Sequence, residues 1–429
     1  MAKSIHYITR DPWWDTDRTL LPELTALNTV RISVENGTGS LKYPVKEAYS
    51  AAELNVRNER YHYYDPRILF STWKYCRNLA RVSDNTDATV FVMGGSPFYL
   101  VFSCLLLDAD RTVIAVHNYE QHNGGRRSLA ERLIYRKFRH FLFFSELQKK
   151  AFGRSHPDMD ATAVRMPLKT FGAAERKEGR GVPRFLFFGF IRDYKRLDLF
   201  IEAAEKTDAD ADFIIAGKGD WEKYDEMIGD DRRFICRRGF ISDGEAAELY
   251  ASADFLVLPY RDATQSGPAL TAMSYSLPVI CSDIPFFSSI VEDGVNGFLF
   301  DAGDADALAA VMERAARMGP EQYSAMREAQ RAKAAEYSSG PSPAKAVSDY
   351  IEGLRRGRRR EGAHGGDRSH ILAEDIAQCG HQHNPDGRDG PDRHHARPVL
   401  PRRTRDGNIW DHTAGHHHDV VRHDTRGLA

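Results

Sequence analysis

The sequence predicts an α/β protein made of two doubly wound domains that face each other across a cleft. Three observations predict it. Short apolar runs alternate with amphipathic stretches over most of the 429 residues, and buried strands alternating with helices indicate parallel βαβ units. The runs fall into two sets. Between the sets, KTFGAAERKEGRGVPR is charged, contains glycine and ends in proline, so it reads as a linker near residues 170–183.

The first set contains the strand-like runs SIHYIT, ATVFVMGG and RTVIAVHN, interleaved with helix-like segments such as SLAERLIYRKFRHF. It defines a domain over residues 1–170. The second set runs RFLFFGF, DFIIAGKG, RFICRRGF, DFLVLPY, LPVICSD and GFLF. Helical stretches such as KRLDLFIEAAEKT, SGPALTAMSYS and DADALAAVMERAARM separate these strands, and the second domain spans 184–355. Ligands of open parallel sheets bind beyond the carboxyl ends of the strands. Each sheet would therefore give the cleft one loop-lined wall.

Composition narrows the partners. A formal net charge of −2 gives the chain no overall attraction to nucleic acid or to an anionic membrane. Cys76, Cys104, Cys236, Cys281 and Cys379 are scattered without a C-x-x-C pair, so zinc and thioredoxin patterns are excluded and buried free thiols are expected. MAKSIHYITRDPWW lacks the apolar core of a signal peptide. No apolar run approaches the roughly 18–20 residues of a membrane span. A cytoplasmic protein, peripheral on a membrane at most, is the expectation. From about Arg355 the chain turns rich in His, Arg, Gly, Asp and Pro. Such text cannot bury enough surface to offset chain entropy. Residues 356–429 read as a disordered extension or as out-of-frame translation of a GC-rich gene, rather than as a functional basic tail.

Three loops of the second set carry chemistry. RFLFFGFIRDYK ends a buried strand in Gly189 and places Arg192 and Lys195 in the loop after it. A glycine there lets backbone approach a ligand closely, and a guanidinium with an ammonium suits a diphosphate. The plain alternative is two solvated charges. DFIIAGKGD repeats the pattern with Gly217, one βαβ unit later. In DFLVLPYRDATQSGPALTAMSYS, Ser266 and Pro268 signal a helix start. A small-residue helix N-terminus with Gly267 is an anion site.

The ordered series FFGFIRDYK, IIAGKGD, ADFLVLPYRDATQSGPALTAMSYSLPVICSDIP and DGVNGFLF resembles the nucleotide-sugar-binding half of GT-B glycosyltransferases over Arg184 to Phe300. The resemblance is to the large retaining, family 4-like group whose bacterial members build polysaccharides and glycolipids. It implies two Rossmann-like domains and transfer of a sugar, such as a hexose, from a nucleoside-diphosphate sugar to a glycan or lipid-linked acceptor. It places the diphosphate on Arg192, Lys195, Ser266 and Gly267, and the nucleobase by Phe240 and Ile241. The family's arginine directly after the first glycine is replaced by Phe190, and its Lys-Gly pair by Lys195-Arg196. Its two glutamates align with Ala263 and Thr271. Thr271 would offer the ribose one uncharged bond, and Asp262 or Gln265 would reach the donor sugar.

In the first set, RTVIAVHNYEQHN resembles the family's strand-then-histidine segment, which makes His117 a candidate catalytic residue beside Asp262. The alternative for His117 is a satisfied core histidine. His122 lies nearby. Trp13 and Trp14, in TRDPWWDTD, stand where relatives have a Gly-rich loop; they suit either sugar recognition or the core. LIYRKFRHFLFF carries Arg132, Arg136, Lys137, Arg139 and His140 beside apolar residues. It reads as a contact with the inner membrane or as an amphipathic helix with a solvated face. No D-x-D marks a metal site at a strand end, so a metal-independent reaction without a cofactor is expected. Rival readings are a catalytically silent nucleotide-sugar-binding protein and, with no acid/base pair placed for it, a GT-B epimerase.

Overall fold

The computed structural model describes residues 3–10, 13–36, 53–58, 65–119, 127–176 and 181–363. The tail from 364 onward, and His122, lie outside the described residues. The first sheet contains β1 (Ser4–Arg10), β2 (Thr29–Asn36), β3 (Glu53–Asn58), β4 (Ala88–Val92), β5 (Thr112–Val116), β6 (His140–Phe143) and β7 (Asp160–Ala163), in the order β3-β2-β1-β4-β5-β6-β7. The second contains β8 (Arg184–Phe188), β9 (Asp212–Gly217), β10 (Phe234–Arg238), β11 (Phe255–Leu258), β12 (Val279–Ser282) and β13 (Gly297–Phe300), in the order β10-β9-β8-β11-β12-β13. Every pairing in both sheets is parallel. In each sheet the strand order reverses once, between β1 and β4 and between β8 and β11. A crevice opens at such a switch point, because the helices on its two sides leave in opposite directions.

Both faces of each sheet are apolar, which is why the strand runs are continuous in Val, Ile, Leu and Phe. Phe185, Phe187, Phe213 and Phe255 pack on one side of the second sheet; Leu186, Ile214, Leu256 and Leu258 pack on the other. Alternation of side chains along a strand produces this division.

Packing departs from chain order at the end of the second domain. The helix Pro343–Ala363 returns to the first sheet, where Ala344, Val347 and Ile351 join the core of Leu20, Leu24, Val30 and Ile32. Lys3 fixes it by donating to the Ser348 carbonyl at 2.9 Å and pairing with Glu352 at 3.0 Å. A boundary at 355 cuts through this helix, and residues 356–363, expected as tail, continue it. The described part of the linker is also tied down. Arg176 donates to the Ala253 carbonyl at 2.7 Å and pairs with Asp254 at 2.6 Å, and Tyr275 holds Phe171 and Gly172.

The run SLAERLIYRKFRHF is not one helix. A Ser128–Glu131 capping box starts a helix that ends at Lys137, and His140 opens β6. No described helix is long and apolar enough to cross a membrane.

Candidate functional site

At the second switch point, Gly189 directly follows β8 at φ +110°, a conformation that side chains disfavour. A Cβ on Gly189 would stand 2.9 Å from the Lys195 Nζ. One on Gly217 would stand 1.9 Å from the Gly189 carbonyl oxygen. The two strand ends therefore touch, and only glycine fits at position 217. Asp193–Lys195 form a short 3₁₀ turn, and Arg196 follows in the left-handed region at φ 52°, where the family pattern has glycine.

This turn folds Lys195 inward. Only 7% of it is exposed, and no carboxylate pairs with it among the described residues. Its amine lies 5.5 Å from the centre of the Tyr260 ring. Burial, with the Arg192 charge adding to it, lowers its pKa to about 8. Burying an ammonium without a counter-charge is costly. Arg192 behaves differently: it is exposed, with its guanidinium over Phe190.

The helix Gly267–Ser274 begins beside this amine, since Pro268 Cγ is 4.0 Å from the Cβ position of Gly189. Its first-turn donors are mostly used or absent. Pro268 has no N–H, and the Ala269 N–H donates to the capping Ser266 hydroxyl at 3.3 Å. The Gly267 N–H is left, and nothing lies within 4 Å of a Cβ built there. The helix thus offers an anion one open donor plus its dipole.

From the first sheet, His117 follows β5. Its ring is sandwiched between Trp13, 3.9 Å away at 2°, and Phe144, 4.2 Å away at 18°. Burial lowers its pKa to about 3, so the imidazole is neutral. Its carbonyl accepts from Gln265 Nε2 at 3.2 Å, which joins the loops of the two sheets. His117 Nε2, Gln265 Oε1 and Thr264 Oγ1 are buried and have no partner among the described residues. Orphaned polar atoms are rare in folded proteins, and here they meet at one seam.

Residues 182–317 match the family described as glycosyl transferases group 1. The phosphatidyl-myo-inositol mannosyltransferase of Mycolicibacterium smegmatis is 30% identical over 141 residues, 32% of this chain and 36% of that protein. A glycogen synthase of Xanthomonas campestris is 32% identical over 167 residues, 38% of this chain and 34% of that protein. The chain thus matches about a third of the length of these curated relatives. The sucrose-phosphate synthase of Thermosynechococcus elongatus superposes with a TM-score of 0.65 at 12% identity, covering 83% of this chain and 100% of that one. An Anabaena protein solved with UDP and glucose gives 0.62 at 14%, covering 82% and 99%.

The chain has the GT-B fold.

Within this GT-B frame the structure brings together Gly189, Lys195, Gly217, Ser266 and Gly267 at one switch point, and it joins His117 to Gln265. Arg192 stays at the surface. Asp262 is half-buried near Tyr194, whose hydroxyl is raised in pKa by burial and, further, by the Asp262 charge. Thr271 is buried within the helix and makes no side-chain hydrogen bond among the described residues. Phe240, exposed, and Ile241, half-buried, follow β10, two strands from β8. Thr264 carries no sequence signal of its own beyond lying beside Gln265. Trp13 is resolved as a packing partner of His117, while the Trp14 side chain lies outside the described residues. Among the described residues no three His, Cys, Asp or Glu side chains are grouped to hold a metal.

Proposed function

We propose that this protein transfers a sugar from a nucleoside-diphosphate sugar to a glycan or lipid-linked acceptor. The observation that carries this reading is Lys195: a buried ammonium without a counter-charge among the described residues, against Gly189 and beside the open start of the Gly267 helix. A diphosphate supplies the missing charge. As the bond from sugar C1 to the diphosphate breaks, negative charge grows on the departing oxygen, and a pre-placed ammonium and N–H stabilise it. A bond from C1 to an acceptor hydroxyl oxygen then forms as that hydroxyl gives up its proton to the departing diphosphate oxygen, and the transfer is complete. Neutral His117, Thr264 and Gln265 present orphaned hydrogen-bonding atoms that match sugar hydroxyls. His117 holds its proton too weakly to be a general acid at neutral pH. The similarity to a mannosyltransferase and to a glycogen synthase is in keeping with this class of reaction.

The acceptor side of the reading includes a peripheral membrane contact. Three helices, Arg67–Asp84, Pro97–Leu106 and Leu129–Lys137, pack side by side on the first sheet. They expose Phe70, Leu105 and Leu129 near the exposed Lys74, Arg77, Arg132 and Arg136. That mixture suits an anionic lipid surface. Lys137 is not part of it, because its amine caps the carbonyls of Cys104 and Leu107.

A thermal-shift panel of nucleosides, nucleoside diphosphates and their sugars tests the proposal, since a ligand of the native state raises the melting temperature. A diphosphate should stabilise the protein and its nucleoside should not. Equal effects, or none from any nucleotide, would sink the reading. A second reading, a silent nucleotide-sugar binder, is favoured by Ala263 and Thr271 standing where the family has glutamates. Stabilisation by a donor with no release of nucleoside diphosphate across a panel of acceptors would select it.

A further inference from the structure

The first sheet has a switch point of its own, between β1 and β4, and the donor reading leaves its furniture unused. Arg10, Glu35 and Arg57 stand in register across β1, β2 and β3, one level below or at the strands' carboxyl ends. Arg10 Nε meets Glu35 at 2.5 Å, and Arg57 lies 3.8 Å from the other oxygen of the same carboxylate. Arg57 also donates to the Ser71 hydroxyl at 2.9 Å and lies over the Tyr75 ring at 4.7 Å. After β4, Met93 leads into Gly94 and Gly95. A Cβ on Gly95 would be 2.8 Å from the Tyr99 ring and 3.3 Å from the Arg10 guanidinium. The strand end thus backs directly onto both groups. Ser96 then caps the helix Pro97–Leu106 by accepting from the Tyr99 N–H at 3.2 Å.

Two features of this cluster are unexplained by packing alone. The Tyr99 hydroxyl and the Tyr75 hydroxyl are both buried and have no hydrogen-bond partner among the described residues; Tyr99 is wholly inaccessible and Tyr75 only 8% exposed. Their rings stack 6.3 Å apart. The Glu35 carboxylate and the Arg10 guanidinium both act on each hydroxyl, in opposite directions, so each hydroxyl lies in the field of this charged group. A buried hydroxyl without an acceptor is rare in a native structure. Two beside a guanidinium, at a switch point and at a helix start, make a set of donors lacking an acceptor.

We propose that this cluster binds an anionic group of the acceptor, a carboxylate or a phosphate, with Arg10 and the Tyr75 and Tyr99 hydroxyls as donors. The word acceptor rests on the transfer reading above; the anion does not. Position supports the link. The Trp13 indole nitrogen lies 3.2 Å from the Cβ position of Gly94, and the Trp13 ring stacks on His117. The Gly94–Gly95 turn therefore separates the anion cluster from the seam where the donor sugar is placed. An acceptor held here by its charge would turn its neutral hydroxyls toward that seam.

The test uses the full-length protein and three probes: methyl glucuronoside, methyl glucoside 6-phosphate and uncharged methyl glucoside. Binding is followed by ligand-observed NMR with and without a saturating nucleoside diphosphate. One charged probe should bind at least about tenfold more tightly than the neutral one, and which one binds identifies carboxylate or phosphate. Tyr99→Phe keeps the ring and should weaken that probe roughly two- to tenfold, the span of one hydrogen bond. It should leave nucleoside diphosphate affinity unchanged and the melting temperature of the free protein unchanged or higher, since the hydroxyl it removes is unpartnered among the described residues. Arg10→Gln should abolish probe binding. Equal binding of charged and neutral probes, displacement of the charged probe by nucleoside diphosphate, or an unchanged affinity in Tyr99→Phe overturns the proposal. Nucleoside diphosphate binding with silent charged probes overturns it alone. Charged-probe binding that obeys both variants without any nucleotide binding keeps the anion site and removes the transfer reading.

Discussion

The two switch points share a strand order and differ in how they are furnished. In the second sheet the crevice is stripped: Gly189 and Gly217 touch, Gly267 faces open space, and one lysine is buried without a counter-charge among the described residues. In the first sheet the crevice is crowded: Arg10 and Arg57 share Glu35, Gly95 is wedged against Tyr99, and Trp13, His117 and Phe144 stack. Topology fixes where a ligand can enter, and loop chemistry fixes which ligand. A stripped crevice with backbone close at hand suits phosphate oxygens. A crowded one, with rings and paired charges, suits selection among larger groups. The two crevices also differ in how their sheets are closed off, and the largest expected effect addresses that difference.

The first sheet depends on the last described helix. Ile351 is fully buried against that sheet, although its chain position follows the whole of the second sheet. Ile351→Ala should cost about 2–5 kcal/mol in chemical denaturation, the range for large-to-small core changes. Hydrogen exchange should show the lost protection in β1 and β2, with β8 and β9 unaffected. Loss confined to β8 and β9 would mean that the helix serves the second sheet, and the comparison would fail at its base.

The next effect separates the crevices by charge. Lys195→Ala should weaken nucleoside diphosphate binding roughly tenfold to a hundredfold, as expected for one charge-assisted bond of about 1.5–3 kcal/mol. The free nucleoside should bind as before. The pH dependence has a defined sign. The folded pKa is about 8, lowered from 10.5, so the ammonium is lost from the free protein as pH rises through 8. Diphosphate affinity should then fall by up to about tenfold per pH unit. The same shift means that folding disfavours the charged lysine; its penalty is full below pH 8 and fades between about pH 8 and 10.5. Isothermal titration at pH 7 and pH 9 on both proteins checks this. A pH response that survives in Lys195→Ala would assign it to another group.

Much of this contrast was legible in the sequence, and unevenly so. The strand-glycine-loop-helix order around Gly189, Gly217 and Gly267 is local, and local order survives folding. That is why the second crevice could be outlined residue by residue. Arg192 and Lys195 look equivalent in the text; only the 3₁₀ turn and the left-handed Arg196 decide that one points inward. Glu35 and Arg57 gave no signal, because their meaning arises from register across β1, β2 and β3. HFLF of β6 read as the end of a helix because the apolar run is short and the preceding capped helix is amphipathic. The return of Ile351 to the first sheet spans the whole chain and leaves no mark in periodicity. The position of His117 directly after a buried strand is legible in the sequence, but its stacking between Trp13 and Phe144 depends on two distant segments.

The smallest effect is the most selective probe of open against crowded. Gly267 has no φ in the left-handed region and nothing within 4 Å of a Cβ, and it begins a helix. Gly267→Ala should therefore leave stability unchanged or raise it, by up to about 1 kcal/mol, through reduced freedom of the unfolded chain. The added methyl stands in the space through which a phosphate oxygen would approach the Gly267 N–H, so diphosphate affinity should fall severalfold, on the order of one neutral hydrogen bond. Gly95→Ala is the counterpart in the first sheet. There φ is +119° and a Cβ would meet Tyr99 at 2.8 Å, so stability should fall while nucleoside diphosphate affinity holds. Melting curves and titrations on the two variants form a crossed pair. If Gly267→Ala binds diphosphate as tightly as the parent, the phosphate does not approach the helix start, and Lys195 alone would hold it.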